Sequence, residues 1–77
     1  MAPTVQTAPS ISCRYENPAG RRAALSYACH PGDRHVVRYD DPDGERLKWT
    51  YESVAGARER WRMLVLRLEI AGFVRTE

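Results

Sequence analysis

The sequence predicts an α+β domain: a four-stranded antiparallel meander built from two similar β-hairpins, followed by one C-terminal α-helix packed on one face. Three observations carry that reading. The stretch Arg14-Tyr15-Glu16-Asn17-Pro18-Ala19-Gly20-Arg21-Arg22 recurs as Arg38-Tyr39-Asp40-Asp41-Pro42-Asp43-Gly44-Glu45-Arg46, with Tyr27 and Tyr51 at matching distances beyond. Between these turns the apolar residues fall on one parity, the period of a half-buried strand. After Tyr51 the period lengthens to about 3.6, that of a helix.

Residues 1–9, with Pro3, Pro9, Thr4 and Thr7 and no period, read as a disordered leader, which leaves 10–77 as a single ββββα domain. The first strand is expected from about Ile11 to Glu16 and the second from about Arg22 to Cys29, joined by Asn17-Pro18-Ala19-Gly20. Proline pre-sets the first turn position, and glycine supplies the left-handed residue that closes a type I turn with a bulge. That chemistry sets the register, with Tyr15 opposite Ala23, Cys13 opposite Leu25 and Ile11 opposite Tyr27. The third strand, about Arg34 to Asp40, and the fourth, about Glu45 to Tyr51, repeat the device around Asp41-Pro42-Asp43-Gly44. Here Tyr39 faces Leu47, Val37 faces Trp49 and His35 faces Tyr51. The loop His30-Pro31-Gly32-Asp33 returns the third strand beside the second, with Cys29 near His35. Every apolar residue is thereby assigned to one face, and a one-residue slip would turn them all outward.

Ser53 is the expected N-cap of the helix. Val54, Ala57, Trp61, Leu64, Val65, Leu68 and Ala71 share its core face, and Gly72 followed by Phe73 fits a Schellman stop with Phe73 packed back on Leu68. Gly56 weakens the first turn by about 1 kcal/mol relative to alanine, so fraying is expected there. The tail from Phe73 to Glu77 adds a short edge strand or covers the core.

A chain of 77 residues holds one thin core and buries only about 60% of its unfolded surface. A deep catalytic cleft has no room, and the expectation is a protein that is not an enzyme, with no cofactor and no small-molecule substrate. Twelve basic residues, of which only Lys48 is lysine, oppose ten acids, for a formal charge of +2. That balance makes no global polycation, so a basic site has to be local. No positive region followed by an apolar run opens the chain, and Met63 to Leu66 is far too short to span a bilayer. A soluble, cytoplasmic protein with no membrane contact is expected.

Two surfaces stand out. On the helix, Met63, Leu66 and Ile70 lie opposite Trp61 and Leu68 at i, i+3, i+7 spacing, and one helix on one sheet cannot bury both of its sides. They form a candidate interface for a partner protein or a homodimer, against the bland reading of scattered exposed apolar residues. On the outward sheet face, the even-numbered positions present Arg14, Arg22, Arg34, Arg38, Arg46 and Lys48 against Glu16 and Asp40 alone. Arg38 falls opposite Lys48, a like-charge pair that costs stability unless something anionic lies between them. Ala24, Ser26 and Ala28 keep the middle of this face flat. The candidate partners there are acidic groups of a protein or a nucleic-acid backbone; the bland alternative is a solvated face with Glu16–Arg22 and Asp40–Arg46 as ordinary ion pairs.

The run from Val36 to Leu66, a strand, an Asp-Pro-Asp-Gly turn, a basic strand and a Ser-capped Ala-rich helix, resembles the small sheet-plus-helix arm-binding domains of tyrosine integrases, which read DNA with the sheet. The resemblance covers under half of the chain, and the integrase catalytic domain has no counterpart in it. It implies a nucleic-acid partner for the sheet and gives no residue a role.

Cys13, Cys29, His30 and His35 lack the paired short spacings that hold zinc, so no metal site is expected. Cys13 and Cys29 are about 13 Å apart along the ladder at about 3.3 Å per residue, beyond the about 7 Å a disulfide allows, and should be free thiols. A Cys29–His35 dyad has no oxyanion donors beside it and reads as a core thiol next to a partly buried histidine. The sequence thus points to a small non-enzymatic protein-interaction module, an inhibitor, adaptor or regulatory subunit, with nucleic-acid binding by the sheet as the alternative.

Overall fold

A computed structural model describes residues 10–76, so the expected leader of residues 1–9 lies outside the described part. The chain runs through β1 (Ser10–Glu16), β2 (Arg22–His30), β3 (Arg34–Asp40), β4 (Arg46–Tyr51), α1 (Val54–Ile70) and β5 (Val74–Arg75). All pairings are antiparallel and the sheet order is β4-β3-β2-β1-β5. The four main strands are the predicted meander. The C-terminal tail adds a short fifth strand at its edge, with Tyr15 opposite Arg75 and Glu16 opposite Val74.

The two hairpins close by the same local chemistry. In the first, Gly20 N–H donates to Asn17 O at 2.9 Å and Asn17 N–H to Arg21 O at 3.0 Å; in the second, Gly44 N–H donates to Asp41 O at 2.9 Å and Asp41 N–H to Glu45 O at 2.8 Å. Gly20 and Gly44 have φ of 83° and 92°, the left-handed conformation that a type I turn followed by a bulge requires. The side chains of Asn17 and Asp41 accept from Arg21 N–H and Asp43 N–H. The Arg21 guanidinium pairs with the Asp43 carboxylate and ties one turn to the other. Turn chemistry thus fixes the register, which is the expected one throughout: Cys13 opposite Leu25, Tyr27 opposite Val37 and Arg38 opposite Lys48.

The inner face of the sheet and one side of α1 make the core, centred on Leu25 and Val37 with Cys13, Tyr15, Tyr39, Ala57, Leu64, Leu68 and Phe73 around them. Ser53 caps α1, its Oγ accepting from Gly56 N–H at 3.3 Å. The C-terminus is a Schellman motif: Phe73 N–H donates to Leu68 O at 2.9 Å and Gly72 N–H, at φ 90°, to Glu69 O at 3.0 Å. Arg60 holds α1 over the far edge of the sheet. Its Nε donates to the Tyr51 hydroxyl at 2.9 Å, and its guanidinium lies 4.6 Å from the centre of the Trp49 ring.

Three sequence expectations are corrected. Val36 points to the outer face, against the single-parity assignment, yet is only 7% exposed; a short β-branched side chain on an inner strand is covered by its neighbours, here Ala28 and Thr50. Val54 and Ala71, assigned to the core side of α1, are exposed, because the helix packs on β3 and β4 and leaves its other flank uncovered. Ile11 and Leu47, expected on the covered inner face, are exposed on the two outermost of the four main strands. α1 starts at Val54 with Gly56 in its first turn, and the ring of Tyr51 packs where a side chain at Gly56 would stand. No helix among the described residues is long and apolar enough to cross a membrane.

Candidate functional site

On α1, each of the three predicted interface residues is exposed: Met63 by 54%, Leu66 by 57% and Ile70 by 78%. They lie opposite Ala57, Leu64 and Leu68, which are buried against the sheet. The helix therefore has one face docked and a second apolar stripe facing outward.

The outer sheet face does not hold its six cations in one group. Arg14, Arg38, Arg46 and Lys48 surround a single concavity floored by Ser12, Ala24 and Ser26, with Asp40 as its acid. An adjoining concavity shares Arg14, Ala24 and Asp40 and adds Arg22 and Glu16. Arg34 stands apart, beside Asp33 and Glu52 at the opposite end of the sheet. Two rows of cross-strand neighbours explain the shape. One reads Arg14, Ala24, Asp40, Arg46, and the next Ser12, Ser26, Arg38, Lys48. Long charged side chains on β1, β3 and β4 rise around the small side chains of β2. Arg46 Nε and Asp40 Oδ1 are 3.9 Å apart, a loose exposed pair that offsets little of the positive field.

A third surface was not legible in the sequence. With α1 displaced toward β3 and β4, Ile11, Tyr27, Val54, Ala57 and Trp61 line an apolar groove with Arg58 at its rim. The signal was divided among three elements, and only the lateral position of the helix joins them.

Several other polar groups are engaged in structure. The Tyr27 hydroxyl and His35 Nδ1 share a hydrogen bond of 2.7 Å, their rings stacked with centroids 6.0 Å apart. His35 is buried, and Cys29 is its cross-strand partner. Cys13 and Cys29 are free thiols. The Tyr39 hydroxyl donates to Asp41 at 3.2 Å, and burial, then the nearby Asp41 carboxylate, pushes its pKa above the ordinary tyrosine value. Burial raises Tyr15 in the same direction. Among the described residues no group of three or more His, Cys, Asp or Glu is placed to hold a metal ion.

No protein-family model matches the chain, and no curated protein or solved structure does.

Proposed function

We propose that this chain is a non-enzymatic protein-interaction module, of the adaptor, inhibitor or regulatory-subunit kind, which engages a partner protein or a second copy through the outward stripe of α1. The observation that carries the reading is the exposure of Met63, Leu66 and Ile70 in one row on a helix whose opposite side is already packed. Three such side chains bury about 300 Å², enough to centre an interface but well below the about 1,200 Å² of a stable one, so neighbouring residues must complete the contact. Arg62 and Arg67, both exposed, flank the row as a polar rim.

Leu66→Glu tests the reading. The substitution places a charge in the stripe without touching the core, so the far-ultraviolet spectrum and melting temperature are expected to hold. Sedimentation at several concentrations, alone and with a captured partner, is expected to show wild-type association lost in the variant. A wild type that stays monomeric and keeps its partner after the change removes the stripe from any interface.

A further inference from the structure

The outer sheet face carries a basic valley separate from the helix stripe. The floor over β2 is small, Ala24, Ser26 and Ala28, and the strands on either side of β2 are about 10 Å apart, twice the strand spacing. Arg14 stands on one side of this valley and Arg38, Arg46 and Lys48 on the other, with Arg22 at the start of β2 itself. Arg38 and Lys48 are directly opposed across the β3–β4 ladder, so the fold holds two like charges together along one wall of the valley. Ser12 and Ser26 occupy the same cross-strand row and add hydroxyl donors beside them.

We propose that this valley seats the sugar-phosphate backbone of a nucleic acid and does not read its bases. Charge complementarity selects the occupant. Cations on both sides of a run of small residues match a continuous chain of anions, whereas isolated carboxylates of a protein need no such run. Arginine forks and serine hydroxyls both suit phosphate oxygens. The outer face also lacks what base recognition by stacking needs: among the described residues, its positions on the four main strands hold no Phe, Tyr or Trp, because every tyrosine and tryptophan of these strands lies on the other parity. The ligand is therefore best presented as a duplex, whose backbone is accessible without unstacking.

Fluorescence anisotropy of the full chain with two 20-base-pair DNA duplexes of unrelated sequence tests this. Equal affinity for both is expected, with a loss of about 100-fold between about 50 and 200 mM salt, which corresponds to about four phosphate contacts. Replacing Arg38 and Lys48 together by glutamine should weaken binding and flatten the logarithmic salt slope by about 2, the share of two contacts. Asp40→Asn, which removes an acid from the valley, should tighten binding. Should the double variant unfold, Lys48→Gln alone, at an exposed position on an outer strand, serves in its place with a slope change of about 1. Leu66→Glu should leave DNA binding unchanged, so failure of the helix reading and failure of this one are separable. Affinity that is independent of salt, a preference for one duplex sequence, or equally tight binding of poly-glutamate, the mark of an acidic protein surface, would each overturn the proposal.

Discussion

Gly56 illustrates how a single residue's context reverses its usual effect. In an exposed helix interior, glycine costs about 1 kcal/mol relative to alanine, so Gly56→Ala would ordinarily stabilise α1. Here a Cβ would stand 2.8 Å from Cδ1 and 3.2 Å from Cγ of Tyr51. That ring cannot swing away freely, because its hydroxyl accepts from Arg60, which is itself stacked on Trp49. Gly56→Ala is therefore expected to lower stability, by about 1 kcal/mol or more, and a denaturant midpoint compared at constant slope reads it. A gain in midpoint would mean that the ring adjusts and that the packing at this point is loose. Propensity alone points the other way, since the closeness of Tyr51 to Gly56 is a tertiary fact.

The elements were legible to different degrees, for physical reasons. A proline and a glycine at fixed offsets determine a turn by themselves, so both hairpins, their register and the opposition of Arg38 to Lys48 follow from neighbouring residues. The helix stop is equally local, and the outward stripe follows from counting. The lateral position of α1 is not local: it depends on Arg60 reaching Trp49 and Tyr51, a contact between residues whose periodicities say nothing of one another. For that reason the groove beside Ile11 and Trp61, and the exposure of Val54, were beyond sequence reasoning. So was the division of the basic face, where Arg34 shares the parity of the other cations but lies at the wrong end. β5 is the weakest element by the same logic. It has two residues at the edge of the sheet, and beside it Thr76 N–H donates to Arg14 O of β1 at 2.8 Å. In native-state hydrogen exchange the Thr76 amide should be lost well before those of Leu25 and Val37, which sit at the centre of the core. Equal protection would place β5 in the main cooperative unit.

At the scale of the whole molecule, the thin core is rich in phenols, and this makes stability sensitive to alkali. Tyr15 and Tyr39 are buried, and burial raises both pKa values above the about 10 of an exposed tyrosine. Ionisation in the unfolded chain thus precedes ionisation in the folded one. Their contribution to stability is fully present below about pH 10 and is lost as pH rises through the folded values, since the unfolded state then binds fewer protons. Denaturant midpoints measured upward from pH 9 should fall above pH 10, and Tyr39→Phe should blunt the decline. A midpoint flat to pH 11 would show both hydroxyls to be in contact with water.

The meander also bears on how quickly such a chain finds its fold. β1 pairs with β2, β2 with β3 and β3 with β4, so each main ladder joins strands that are consecutive in the chain and closes only a short loop. Either turn can start the sheet, and the other hairpin extends it without a long search. The long closures are two: α1 returns across the sheet, and β5 brings Val74 beside Glu16. Local pairings of this kind predict a folding rate toward the fast end for a mixed domain, which stopped-flow refolding would measure.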